Sequence, residues 1–256
     1  MEHQTVKGEK VPSLGLGTYR LTGEACARAV ERALSMGYRH VDTAQMYGNE
    51  AEVGRGIEAS GLERGGLFLT TKVWPSDFVH DRVISKTRES LKKLGTEYVD
   101  LLLMHWPGDG VPLGEPLGAM RELQEEGAVL HVGVSNFSPS LVEEASGHAE
   151  IFCNQVQYHP FRSQDDLREQ ARKLDYLLTA YTPLSRGGVQ DDATLSEIGE
   201  AHGKTATQVA LRWLVQQEKV SAIPKATGEE HLRENLNVFD FELSGEEMDR
   251  VFSLGR

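Results

Sequence analysis

Short aliphatic and β-branched runs alternate with longer amphipathic stretches along nearly the whole chain. The apolar runs cover residues 14–17, 38–43, 67–73, 98–105, 129–136, 151–158, 176–183 and 220–226. Between them, residues 24–36, 50–60, 77–94, 117–126, 139–146, 165–174, 195–217 and 229–237 repeat their apolar positions at helical spacing. Turn residues mark the junctions at Gly37, Gly65-Gly66, Gly95-Thr96 and Gly127. Runs that are apolar throughout suit strands covered on both faces, as in a buried parallel sheet. Eight such strands alternating with eight helices predict an α/β fold, the (β/α)8 or TIM barrel. The rival, a doubly wound open sheet, calls for Gly-x-Gly-x-x-Gly after an early strand. Gly15-Leu16-Gly17-Thr18 lacks the third glycine, and Val53-Gly54-Arg55-Gly56 sits inside a helical pattern. No linker or shift of composition interrupts the pattern, so residues 1–256 read as a single barrel domain.

In such barrels the chemistry gathers where the strands end. The second run ends in Asp42-Thr43-Ala44 with Tyr47 just beyond, the third at Lys72, the fourth at His105 and the fifth at Ser135-Asn136. The sixth contains Asn154, Gln155 and Gln157, the seventh reaches Tyr181, and the eighth ends at Lys225. Asp42 to Lys72 is 30 residues and Lys72 to His105 is 33, each about one β/α unit, so these side chains should meet at one mouth. Taken singly, an aspartate at a strand end commonly caps a helix, and a tyrosine or histidine commonly fills a core. The convergence of four is what carries the reading. A free phenol titrates near about 10, and a neighbouring Lys72 ammonium is expected to lower that value. Asp42 would hold Lys72 charged, and His105 would hydrogen-bond a substrate carbonyl beside Tyr47. No side chain supplies hydride, so a nicotinamide cofactor is required.

The net charge of −12 argues against nucleic acid as a partner. The N-terminus is polar and no apolar run approaches the roughly 18 residues that span a bilayer. With two cysteines, Cys26 and Cys153, read as buried free thiols, the expected setting is the cytoplasm. His105, His159 and Asp42 lack the short paired spacing of a metal site, and no exposed apolar stripe opposes a monomer.

Gly37-Tyr38-Arg39-His40-Val41-Asp42-Thr43-Ala44, with Glu50 and Gly54 downstream, resembles the first signature of the aldo-keto reductase family. His105-Trp106-Pro107, Gly133-Val134-Ser135-Asn136-Phe137, Asn154-Gln155 with His159-Pro160, and Ile223-Pro224-Lys225 follow in family order. Compact bacterial members such as 2,5-diketogluconate and methylglyoxal reductases look most similar. The resemblance implies Tyr47 as general acid, Lys72 and Asp42 as its tuning pair, and His105 as the substrate-orienting group. It implies that Ser135, Asn136 and Gln155 bind the carboxamide and that Tyr181 stacks on the nicotinamide. Thr182, Pro183, Leu184 and Ser185 would line the pyrophosphate, Glu234 and Asn235 would approach the adenine, and Gly17, Thr18 and Tyr19 would lie beneath the cofactor.

Two features depart from the family pattern. Ala226 and His231 stand where a hydroxyl donor and a phosphate-gripping arginine are usual, and Arg233 lies roughly 200° round the helix from His231. A modest preference for NADPH through Lys225, with real NADH activity, is therefore expected. The segment 107–116 is short and the chain ends soon after a helix at 244–252. An open pocket walled by Tyr19, Trp74 and Trp106, accepting varied small carbonyls, follows. The alternatives are a non-catalytic cofactor-binding regulatory or structural protein of the same fold, and a barrel hydrolase or lyase using Lys72 as a Schiff-base nucleophile.

Overall fold

The computed structural model describes residues 1–108 and 110–255; Asp109, in the short 107–116 segment, and Arg256, at the chain's end, lie outside the described residues. The elements are β1 (His3–Val6), β2 (Glu9–Pro12), β3 (Leu16–Gly17), α1 (Gly23–Ser35), β4 (His40–Asp42), α2 (Glu50–Ser60), β5 (Phe68–Val73) and α3 (His80–Leu94). There follow β6 (Val99–Met104), α4 (Gly114–Glu125), β7 (Val129–Ser135), α5 (Pro139–Ser146), β8 (Ile151–Gln157) and α6 (Asp165–Leu174). The last are β9 (Leu177–Tyr181), α7 (Ala193–His202), α8 (Ala206–Val215), β10 (Val220–Ala222), α9 (Glu229–Leu236) and α10 (Gly245–Ser253).

Strands β3 to β10 pair in chain order, every pair parallel. The sheet closes where Leu14 bridges Ala222: Gly15 N–H donates to the Ala222 carbonyl at 2.8 Å, Ala222 N–H to Ser13 at 2.9 Å and Gly17 N–H to Pro224 at 3.0 Å. The result is the (β/α)8 barrel, and each of the eight predicted runs contains one of its strands.

The barrel has two cores, and the two-residue period of a strand decides which side chain enters which. Leu102 and Met104 of β6 join the large core between sheet and helices, whereas Leu101 and Leu103 point inward with Cys153 and Leu177; Phe152 joins them out of period, where the β7–β8 register shifts. Val6 and Val11 of the β1–β2 hairpin complete this inner cluster and close the N-terminal end of the barrel. Gln4 ties the hairpin down through its amide N–H groups to the carbonyls of Val215 and Gln217, both at 3.1 Å. The apolar pattern did not disclose this hairpin. It carries one inward valine per strand amid polar residues, too few to stand out as a run.

The helix expected over 195–217 is two helices. Gly203, at φ +65°, ends α7, and Thr205 begins α8 with a capping box: its hydroxyl accepts from Gln208 N–H while Gln208 Oε1 accepts from Thr205 N–H. Both signals stand in the sequence but lie inside a continuous apolar periodicity, which concealed the break. The helix expected from residue 77 begins instead with a single 3-10 turn, Pro75–Asp77, before α3.

Gly54 of α2 packs on the end of α3: a Cβ there would lie 2.7 Å from the Leu94 carbonyl oxygen and 2.8 Å from that of Lys93. Alanine gains roughly 1 kcal/mol in a helix interior, but overpacking against backbone costs about 1–3 kcal/mol. Gly54→Ala should therefore be less stable in urea denaturation, by up to about 2 kcal/mol. A more stable variant would show that α2 and α3 are not locked at this contact.

Candidate active site

Inward alternation continues to the C-terminal ends of the strands, where it turns polar. On β4 it gives Asp42, on β5 it runs from Phe68 through Thr70 to Lys72, and after β6 it places His105 two residues beyond Leu103. Lys72 is fully buried and Asp42 nearly so. The Lys72 ammonium donates to Asp42 Oδ1 at 2.5 Å, to the Thr43 carbonyl at 2.8 Å and to the Tyr47 hydroxyl at 3.4 Å. Tyr47 comes from a single 3-10 turn, Gln45–Tyr47, between β4 and α2. Its ring meets that of His105 edge-on at 5.6 Å between centroids and that of Tyr19 at 5.0 Å; Trp74 meets His105 edge-on at 5.1 Å. All four predicted catalytic side chains thus converge. Glu50 does not: it is buried in the outer layer, where its Oε1 accepts from Thr71 at 2.7 Å.

Burial and charge act in opposite directions on these groups. Burial raises the Tyr47 phenol, and the Lys72 charge pulls it only part of the way back, so its pKa stands above the ordinary value rather than below it. The sequence weighed the ammonium without the burial that opposes it. For Lys72, burial disfavours the charge, but Asp42 and Tyr47 overcome this and the pKa is raised. An ammonium so held is a poor Schiff-base nucleophile, which needs the free amine. Burial, reinforced by the Lys72 charge, pushes His105 down to about 3, so its imidazole is neutral at pH 7. Its buried Nδ1 has no hydrogen-bond partner among the described residues.

Beside these groups lies a connected amide and hydroxyl network. Gln155 Nε2 donates to Asp42 Oδ2 at 2.7 Å, reaching from β8 to β4. Ser135 Oγ donates to the Gln155 carbonyl at 2.8 Å. Asn136 Nδ2 donates to Ser135 Oγ at 3.0 Å and to the His105 carbonyl at 3.3 Å, and Asn136 Oδ1 accepts from the Tyr181 hydroxyl at 2.8 Å. The four predicted carboxamide and stacking residues therefore form one unit with the predicted catalytic groups. Asn154 instead faces outward and binds the backbone of Phe137. Thr18 donates both N–H and hydroxyl to the Asp42 carbonyl, at 3.0 and 2.9 Å, bringing Gly17, Thr18 and Tyr19 to the same mouth.

Beyond β9 the chain turns sharply, with Thr182, Ser185 and Arg186 all in the left-handed region around Pro183 and Leu184. Lys225 is exposed and has no ion pair among the described residues, whereas Ala226 is buried. At α9, His231 Nδ1 lies 3.4 Å from Glu234, and Arg233 is paired with Glu229 at 2.9 Å. Glu234 and Arg233 line a cavity of about 560 Å3, but Asn235 is buried beside Tyr38 rather than lining it. A second cavity, about 620 Å3, adjoins the mouth at Trp106, Asn136, Gln157, Arg162 and Tyr181. Tyr19 and Trp106 are exposed on the rim and Trp74 is half-buried. Met46, next to Tyr47 in the chain, is 47% exposed.

Residues 13–256 match the model of the Aldo/keto reductase family. A glyoxal reductase of Bacillus subtilis is 38% identical over 252 residues, covering 97% of this chain and 91% of that protein. Methylglyoxal reductase DkgB of Salmonella typhi is 38% identical over 249 residues, covering 95% and 93%. Among solved structures, one described as 2,5-diketo-D-gluconic acid reductase B superposes with a TM-score of 0.97 at 49% identity, covering all of this chain and 92% of that one.

The neutral His105 has a consequence for stability. An unfolded histidine takes a proton near about 6.5, whereas in the fold it does so only near about 3. The unfolded chain binds the extra proton between these values, so the contribution is intact above about pH 6.5 and is lost as pH falls toward the folded value. Replacing His105 by Asn should flatten the loss of stability between pH 7 and 5 by about 1–2 kcal/mol in urea titrations. An equally steep decline in the variant would assign the acid sensitivity elsewhere.

Proposed function

The chain belongs to the aldo/keto reductase family, and we propose that it reduces small aldehydes and ketones, sugar-derived ones among them, to alcohols, with Tyr47 as general acid and a reduced nicotinamide as cofactor. The observation that carries this reading is the Tyr47 hydroxyl 3.4 Å from an ammonium that is itself locked to Asp42.

The donor set suits a nicotinamide. Ser135, Asn136 and Gln155 offer amide and hydroxyl groups to a carboxamide at the barrel centre, and the Tyr181 ring stands beside them. Thr182, Pro183, Leu184 and Ser185 would line the pyrophosphate, with Gly17, Thr18 and Tyr19 beneath. Glu234 would approach the adenine, with Asn235 behind it rather than in contact. The cofactor, when bound, supplies the two electrons and the hydrogen that reach the carbonyl carbon. The residues of the chain do the rest. His105, being neutral, orients the carbonyl oxygen by a hydrogen bond and not by charge. Tyr47, kept protonated by burial, gives its proton to that oxygen as negative charge develops there. Lys72 then stabilises the phenolate left behind, and Asp42 and Gln155 keep Lys72 in place. Tyr19, Trp74 and Trp106 wall an open pocket suited to varied small carbonyls.

The same reading takes the protein as a cytoplasmic monomer, one barrel over residues 1–256, whose partners are small carbonyl compounds rather than nucleic acid or membrane. Among the described residues no helix is long and apolar enough to cross a membrane.

For the cofactor we infer a modest preference for NADPH through Lys225, with NADH also used. His231, 3.4 Å from Glu234, supports this because it offers no guanidinium fork for a 2′-phosphate, and Arg233 lies against Glu229 at 2.9 Å. The ratio of kcat/KM with the two cofactors should lie within about tenfold to a hundredfold; a thousandfold preference for NADPH would defeat the inference. Tyr47→Phe should keep cofactor affinity, read by fluorescence quenching, while turnover of a carbonyl panel falls by about 10²–10⁴-fold. Cofactor binding by wild type without any turnover would favour the regulatory alternative instead.

A further inference from the structure

Asn49 begins α2, in the N-cap position where asparagine ordinarily accepts a hydrogen bond from the backbone of the first turn. Here its side chain makes no such bond. It is buried instead, only 1% exposed, and all its bonding capacity is directed away from the helix. Asn49 Nδ2 donates to the carbonyls of Thr18 and Leu21, both at 2.9 Å, and Asn49 Oδ1 accepts from the Thr43 hydroxyl at 2.8 Å. One amide thus joins the loop after β3, the end of β4 and the start of α2.

Those three points surround the turn that carries Tyr47. A single 3-10 turn has little stability of its own, and Gly48 follows it at φ +65°. Its fixed points are Thr43 on one side and Asn49 on the other, and the side chains of these two bond each other. The Thr43 carbonyl also accepts from Lys72. The loop held by the Asn49 amide carries Tyr19, whose ring lies against that of Tyr47. Displacement of Asn49 would therefore loosen the phenol from both its ammonium and its aromatic wall.

We propose that Asn49 is a positioning residue for proton donation by Tyr47, clamping the turn that bears the phenol between two neighbouring loops of the barrel mouth. The inference rests on the reading of Tyr47 as general acid. It separates from helix capping through one substitution, because aspartate caps a helix as well as asparagine does but lacks the two N–H donors that hold Thr18 and Leu21.

The test measures kcat, KM, cofactor affinity by fluorescence quenching, thermal unfolding and the solvent deuterium isotope effect on kcat for wild type, Asn49→Ala, Asn49→Asp and Thr43→Val. Both Asn49 variants should lose about tenfold to a hundredfold in kcat, the scale of a small misplacement of a reacting group. Because the Thr18–Leu21 loop also serves the proposed cofactor and substrate pockets, cofactor affinity and KM should shift by a few-fold at most, clearly less than kcat, and the solvent isotope effect should rise as proton transfer becomes more limiting. Thr43→Val, which keeps the shape and removes one bond, should lose a few-fold and add little on top of Asn49→Ala. Should the Asn49 variants fail to fold, Thr43→Val decides: wild-type kcat and isotope effect overturn the proposal. Full activity in Asn49→Asp would make the residue a cap and also overturn it, as would losses shared by kcat, KM and cofactor affinity with an unchanged isotope effect. An active wild type with indifferent variants defeats this inference alone, whereas a wild type inert toward every carbonyl with both cofactors defeats the functional reading and this inference with it.

Discussion

An ammonium without access to water is tolerated only when every proton is bonded and the charge is answered nearby, since the desolvation penalty is still several kcal/mol per ion after relaxation. Lys72 meets that condition with nothing left over. Its three N–H groups donate to Asp42, the Thr43 carbonyl and Tyr47, and the second oxygen of Asp42 accepts a hydrogen bond from Gln155. The partners lie on β4, on β8 and in the turn before α2, so they assemble only once the sheet has closed. The arrangement that minimises the cost of the buried ion is thus the arrangement the proposed chemistry would use. Loss of either charged partner would strand the other.

The same ion gives the two groups that would face a substrate different tasks. It lowers the cost of the Tyr47 phenolate but does not cancel the effect of burial, so the resting phenol holds its proton. Burial keeps His105 a neutral donor or acceptor, and the same ion reinforces this by discouraging a second positive charge. A proton donor and a neutral orienting group can therefore stand side by side without competing for one proton. Gln155 and Asn136 extend this order outward. They bind Asp42 and the His105 backbone respectively, so residues assigned to a cofactor also brace the catalytic groups.

The barrel was legible because strands buried on both faces leave apolar runs that few other structures require. The convergence of the four predicted residues was legible because equal spacing along such runs becomes equal height in the barrel, and inward alternation then aims Asp42, Lys72 and His105 at one axis. Other features depend on information that periodicity does not carry. The β1–β2 hairpin seals the barrel with Val6 and Val11 alone. The break between α7 and α8 hangs on Gly203 and a two-residue cap inside an unbroken amphipathic pattern. The direction of the Tyr47 shift depends on burial, which the identity of its neighbour cannot report. Thr43 meets Lys72 through its backbone, where the side chain gives no clue, and Asn49 at a helix start looks like an ordinary cap.

Backbone strain shows how the two ends of the barrel divide their work. A left-handed conformation costs an L-residue roughly 1–2 kcal/mol, and such residues lie at both ends. At the sealed end, Lys7, Asp175 and Lys219 adopt it and are recompensed by one another, since Asp175 accepts from Lys7 N–H at 3.0 Å and from the Lys219 ammonium at 2.5 Å. At the open end, Arg20, Asn136, Thr182, Ser185 and Arg186 adopt it on loops that gather round the mouth. Of these, Asn136 is held by its side-chain bonds to Ser135, His105 and Tyr181. The Thr182–Arg186 turn is closed by its own backbone, Ser185 N–H donating to the Thr182 carbonyl at 3.0 Å and Gly188 N–H to that of Ser185 at 3.1 Å. Strain at the open end thus sits on locally bonded loops of the kind shaped for a ligand, above strands that supply the stability.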